Sequence, residues 1–180
     1  MATIPYFCNM EPLVNKVAES GIITLNLEDF IPENMVVFDL KPFLFMELIL
    51  KEKDFRSELL KHDWEQYQNK NVLVTCTADA IIPVWAYMLV MSYLQPVVLH
   101  AVMGAEHDAR RQMMLHNISV LETATYEDQR VVIKGCGETP IPDEAYAAIT
   151  FKLRPVAKSI MYGEPCSTVP IYKKKMAPKI

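Results

Sequence analysis

The chain has 180 residues, of which 51% are hydrophobic and 22% charged, with a formal net charge of −4. That length carries one core of ordinary domain size, and that composition excludes a disordered chain. The acidic balance excludes a broad nucleic-acid footprint, and five glycines leave little room for linkers or phosphate-cradling loops.

The expectation is a single domain over 1–180, with 1–14 and 173–180 as flexible termini. The opening Met1-Ala2-Thr3-Ile4-Pro5-Tyr6 shows neither the basic nor the apolar region of an export signal. Cys8, Cys76, Cys136 and Cys166 are far apart in a chain that does not need disulfides, which points to a reduced, cytoplasmic protein.

In chain order, Ile22–Leu27 and Met35–Leu40 read as strands, and Lys41-Pro42 closes the second. Phe43–Leu50 is apolar throughout, so periodicity does not separate strand from helix there. Asp54–His62 reads as a helix with Phe55, Leu59 and Leu60 on one side. From residue 71 onward short apolar runs alternate with helical segments. The runs are Asn71–Cys76, Val97–Met103, Arg130–Gly135 and Ala157–Tyr162. Between them lie helices over Ala80–Leu94, Ala105–Leu121 and Asp143–Leu153. Strand starts about 25–35 residues apart with a helix between each pair are the rhythm of parallel βαβ units. The fold class expected is therefore α/β. It is a single domain on a mainly parallel sheet with helices on both faces, built of βαβ units from about 71 to 163, with an N-terminal β/α segment. No internal repeat beyond that rhythm is legible, and the tail from Tyr172 reads as frayed.

Ala80–Ala105 contains no Asp, Glu, Lys or Arg. Pro83, Gln95-Pro96 and His100 interrupt it, which argues for a buried helix and a strand rather than a membrane span. The helix has no polar face, so it calls for cover on a second side, from the N-terminal third or from the seam of a homodimer.

Ligands in parallel sheets bind beyond the carboxyl ends of the strands. Three of the four cysteines fall there: Cys76 after the first of the four runs, Cys136 after the third and Cys166 after the fourth. If those strands are neighbours, three thiolates converge, and thiolates ligate zinc and iron–sulfur clusters. Asp79, Asp39 or a histidine would complete or orient such a set, and Lys134 and Lys158 would supply positive charge to a reactive thiol. Against this, no CxxC or CxH pair occurs, and free cysteine is commonly a small buried hydrophobe. His107-Asp108 reads as a solvated pair, His62 as a helix cap, and His100 as a satisfied core histidine. No P-loop or G-x-G-x-x-G exists, so no nucleotide cofactor is expected.

Four strings carry a resemblance: Asn15–Leu25, Leu50–Arg56, Asp79–Tyr87 and, most specifically, Pro155–Pro170. Together they resemble the bacterial, mainly Bacteroidetes, family catalogued as domain of unknown function 2480, from about Asn15 to Lys175. The resemblance implies a cytoplasmic bacterial protein without an assigned activity, with a loose link to iron–sulfur assembly. Three readings stand. The first is a Cys76, Cys136, Cys166 metal site with Asp79, holding zinc or an iron–sulfur cluster. The second is a thiol redox or persulfide-transfer enzyme with one low-pKa cysteine. The third is a non-catalytic dimeric module with inert cysteines, its small-molecule or protein partner unknown.

Overall fold

Short β-branched runs become strands and the segments between them helices, in a computed structural model that describes residues 21–135, 137, 139–164 and 167–175. The strands are β1 (Ile22–Asn26), β2 (Met35–Asp39), β3 (Asn71–Thr75), β4 (His100–Met103), β5 (Arg130–Lys134), β6 (Ser159–Glu164) and β7 (Ser167–Lys173). The helices are α1 (Glu52–Lys61), α2 (Val84–Leu94), α3 (Glu106–Ser119) and α4 (Asp143–Leu153). The fold is α/β with mainly parallel strands, but the strands form two sheets where the βαβ rhythm suggests one. The first sheet has the order β2-β3-β4, all parallel; the second has the order β1-β5-β6-β7, parallel except for β7. Strand spacing predicts that crossovers exist, not which strands pair, and here β2, β3 and β4 close one sheet while β1 crosses to pair with β5 in the other.

Helix α3 joins them. Ala109 and Met113 pack with Leu73 and Val102 of the first sheet, whereas Met114 and Ile118 join Val131, Ile133 and Ile160 of the second. All four helix residues are at most 3% exposed. Each pair is spaced i,i+4, and the two stripes lie about 100° apart on the helix. A helix buried on two sides cannot show the single apolar stripe of a surface helix.

The two halves repeat each other, which the sequence reading misses. A shift of 59 residues carries β3, α2 and β4, starting at residues 71, 84 and 100, onto β5, α4 and β6, starting at 130, 143 and 159. It also carries backbone hydrogen bonds onto one another. Asn69 N–H donates to Val97 O as Asp128 N–H does to Val156 O, and Leu99 N–H donates to Lys70 O as Lys158 N–H does to Gln129 O. Asn69 and Asp128 share a left-handed backbone, with φ of 55° and 57°. Residues 62–104 and 121–163 then agree at ten positions, among them Tyr67/Tyr126, Pro83/Pro142, Tyr87/Tyr146 and Gly104/Gly163. The first strand of each half ends alike. Asp39 and Asn26 close β2 and β1, and each side-chain Oδ1 accepts the N–H two residues on, from Lys41 and Glu28. Each is followed by a wholly buried leucine, Leu40 or Leu27. Because β1 precedes β2, the second half takes its first strand from the start of the chain. Among the described residues strand β7 has no counterpart in the first half.

Other differences are local. Phe43–Leu50 is neither strand nor helix. The chain reverses on itself, Phe45 bridges Ile49, and Met46 and Glu47 take φ of 53° and 57°, leaving Phe45, Met46, Leu48 and Ile49 exposed. The tail is not frayed from Tyr172. Tyr172 pairs with Ile160 in β7, and Lys174 Nζ lies 2.9 Å from Asp128. The N-terminal third does cover α2 in part, since Trp85 meets Phe55 of α1 edge-on, yet Val84 and Met88 stay 70% and 66% exposed. Among the described residues no helix is long and apolar enough to cross a membrane.

Candidate functional site at the carboxyl edge

The strand ends decide which of the candidate residues meet. Ile133 of β5 stands opposite Tyr162 of β6, so the segments that carry Cys136 and Cys166 leave neighbouring strands. Cys136, Cys166 and Cys8 themselves lie outside the described residues. Strand β3, which ends before Cys76, lies between β2 and β4 in the other sheet. The condition for convergence is thus met for two of the three strands. Among the described residues no three His, Cys, Asp or Glu side chains gather as a metal site would require.

Cys76 is half-buried and packs against the core that contains Phe38, Val74 and Val90. Its Sγ donates a weak hydrogen bond to Ala78 O at 3.8 Å. It lines a cleft of about 330 Å³ with Tyr87, Met103 and Gly104. Burial, and then the neighbouring Cys76 and Asp39, raise the Tyr87 phenol above its ordinary value. Asp39, at the end of β2, is spent on structure. Its Oδ1 accepts Lys41 N–H at 2.9 Å and Thr77 N–H at 3.0 Å, and its Oδ2 accepts the Thr77 hydroxyl. Asp79 is exposed and does not cap α2, whose N-terminal boundary is Pro83. Pro142 and Asp143 open α4 as expected. Lys134 closes β5 at the carboxyl edge, whereas Lys158 precedes β6 at the amino edge, so the two do not serve one site.

The repeat gives this cleft a twin. The positions of Val74, Tyr87 and Met103 recur as Ile133, Tyr146 and Tyr162, which line a cleft of about 350 Å³ in the second half. There the place of Cys76 is taken by Gly135, whose carbonyl accepts the Tyr146 hydroxyl at 3.2 Å. A Cβ on Gly135 would stand 2.5 Å from that hydroxyl, so the thiol of one half and the tyrosine contact of the other exclude each other.

A further cleft opens between the halves. A cleft of about 460 Å³ is walled by Ile31 and Pro32 after β1, by Arg111 and Met114 of α3, and by Ile141 and Pro142 before α4. It sits where the carboxyl ends of β1, β4 and β5 face one another through the segments that follow them, a usual place for a ligand in this class. Its walls are apolar, with a few convergent polar groups. Arg111 Nη1 bonds Glu144 at 2.9 Å and Nη2 reaches Asp108 at 3.4 Å. The Arg111 Nε, though the guanidinium tip is open to solvent, is buried and has no acceptor among the described residues. Glu144 is held below the usual carboxylate range by its own backbone N–H and then by Arg111. Nothing in the linear sequence singles out Arg111, because its cleft partners come from three separate segments. Aligning the two halves would have drawn attention to the strand ends.

The histidines take three different settings. His107 is 92% exposed and 3.8 Å from Asp108. His62 closes α1 and lies 3.1 Å from the Tyr67 hydroxyl. His100 is half-buried and stacks on His116 at 3.9 Å, and burial, then that neighbour, lower its pKa.

The protein is therefore an α/β protein of two linked, mainly parallel sheets, with ligand-sized clefts at their carboxyl edge. Within that class it belongs to the family described as protein of unknown function (DUF2480), whose model matches residues 11–174. No curated protein and no solved structure matches the chain.

Proposed function

We propose that this protein is a binding module for a small organic molecule with an oxygen acceptor, a carboxylate or carbonyl, on a short apolar body. The cleft between the halves is its site. The observation that carries this reading is Arg111, which lines the cleft beside Ile31, Met114 and Ile141 and whose Nε–H is buried without an acceptor among the described residues. A buried donor without an acceptor costs about 1–3 kcal/mol, which a ligand oxygen recovers by displacing the atoms that cover that N–H. Asp108 and Glu144 fix the guanidinium, so the donor is pre-oriented. Ile31, Pro32, Met114, Ile141 and Pro142 supply the apolar contact for the ligand body.

Thermal unfolding of the full chain against a panel of short aliphatic carboxylates and amides tests this. A binder present at 100 times its Kd adds about 2.7 kcal/mol of stability. The shift should vanish in Arg111→Met. A panel without any shift, or an equal shift in wild type and Arg111→Met, overturns the reading.

The pairing of β5 with β6 favours a second reading, in which Cys136 and Cys166 act together. Thiolates there suit zinc or an iron–sulfur cluster in sulfur handling, with further ligands from outside the described residues. Protein purified without oxygen would then carry one equivalent of zinc, or iron with sulfide. A colourless, metal-free, folded protein would sink it.

A further inference from the structure

We propose that two copies of this chain associate through the open edge of β4 and the exposed stripe of α2, their β4 strands antiparallel across a twofold axis. The argument starts from the repeat. In the second half the edge of β6 is covered by β7, which pairs with it antiparallel from Ser159↔Lys173 to Glu164↔Ser167. The equivalent strand β4 pairs only with β3 among the described residues. An uncovered edge presents unpaired backbone donors and acceptors, and proteins usually blunt such edges with charge, proline or a covering segment. Among the described residues no strand pairs with β4 on this side, and His100–Met103 holds neither proline nor any Asp, Glu, Lys or Arg.

The side chains beside this edge point the same way. Leu99, Ala101 and Met103 fall on one face by the two-residue period, the face on which Ala101 packs with the core under α2, and Leu99 and Met103 are 63% and 48% exposed. Val84 and Met88 form an i,i+4 stripe along α2 and are also exposed, with Ile81 just before them. At the equivalent positions the covered half has Asp143 and Ala147 for Val84 and Met88, and Lys158 and Tyr162 for Leu99 and Met103. At two of these four positions, Asp143 and Lys158, the half whose edge is covered carries charge where the half with the open edge carries hydrocarbon. Exposed apolar residues without charge offer nothing to select a charged partner. They are self-complementary about a twofold axis, which sets β4 against β4 and the α2 stripes side by side. Phe45–Ile49, another exposed apolar stretch, follows β2 at the opposite edge of the sheet and takes no part, and on the outer strand β7 of the second sheet the exposed Val169 and Ile171 flank Pro170, a residue that blunts an edge.

Sedimentation of the full chain from about 5 to about 100 μM tests this, since dimer formation follows mass action. The expected species has twice the 20.6 kDa chain mass. Met88→Lys combined with Leu99→Lys sets like charges across the axis and should weaken association at least about 100-fold. Both sites are exposed, so circular dichroism and melting should show a folded variant. Met46→Lys, on the Phe45–Ile49 stretch, should leave the dimer intact. Should the double variant fail to fold, hydrogen exchange on the wild type decides: β4 amides that do not bond β3 should lose protection on dilution. A monomer at every concentration, a dimer indifferent to the double lysine, dissociation by Met46→Lys, or β4 exchange independent of concentration each overturns the proposal.

Discussion

At the scale of single residues, Asp39 is the clearest case of a polar group placed by the chain's own backbone. Burial pushes its carboxyl up, but the Thr77 hydroxyl, the Lys41 and Thr77 N–H groups and the Lys41 charge outweigh it, and the net pKa is below 3.8. Those bonds tie the end of β2 to the segment after β3, and so hold the wall of the Cys76 cleft. Asp39→Ala should cost about 1–2 kcal/mol, since hydrogen bonds to a charged acceptor are lost on a part-exposed group. Asp39→Asn should cost less than about 1 kcal/mol, because Asn26 makes the same Oδ1 contact in the other half. The pH dependence has a definite sign. The folded carboxyl holds its proton less tightly than the unfolded one, so its contribution is complete above the unfolded pKa and disappears as pH falls through the folded one. The gap in Tm between wild type and Asp39→Ala should therefore be constant near neutrality and close below about pH 4. A gap that widens on acidification would contradict this account.

At the scale of elements, most strands and helices are legible because period and caps are local properties. Arg130–Lys134, Pro142 before α4, and the i,i+4 apolar stripes need no knowledge of the rest of the chain. Three things are not local. Which strands pair depends on crossovers, so two sheets are not separable from one in the sequence. Phe43–Leu50 looks like an element because it is apolar, yet left-handed backbone at Met46 and Glu47 reverses it. The repeat hides because its identities are scattered over buried, turn and cleft positions while the helix surfaces diverge. Of the candidate site, Cys76 and Asp39 are found at one edge, but Arg111 emerges only when three segments meet. The repeat itself makes a prediction through its paired glycines. Gly104 and Gly163 both have left-handed φ, 144° and 117°. A Cβ at Gly104 meets nothing within 4 Å, whereas one at Gly163 lies 2.6 Å from Ser167 O in the β6–β7 hairpin. Gly104→Ala should then cost only backbone strain, about 1–2 kcal/mol. Gly163→Ala adds a backbone clash and should cost more than about 2 kcal/mol. Denaturant melts of the two variants compare them directly, and equal losses would mean that the clash relaxes freely.

At the scale of the whole molecule, the question is whether two sheets unfold as one unit. Each half has its own strand pairing and its own core cluster, an arrangement that would permit independent melting. Against that stands α3, which is indispensable to both. Met113 is 1% exposed against the first sheet and Ile118 is 1% exposed against the second, only five residues further along the same helix. Unfolding either sheet would leave one stripe of α3 in water. Fully burying a side chain of this size is worth about 1.5–3 kcal/mol, so stripping one stripe of a shared helix penalises every half-unfolded state. Calorimetry at fixed protein concentration should accordingly give one transition, with equal calorimetric and van't Hoff enthalpies. Met113→Ala should remove about 2–5 kcal/mol by leaving a cavity. It should lower that single transition as a whole, with Trp64 and Trp85 fluorescence, which reports the first half, following the same curve as far-ultraviolet circular dichroism, which reports both. If the tryptophan signal instead moved to lower temperature while the remaining ellipticity kept the wild-type midpoint, the halves would be separate folding units and α3 no more than their connection.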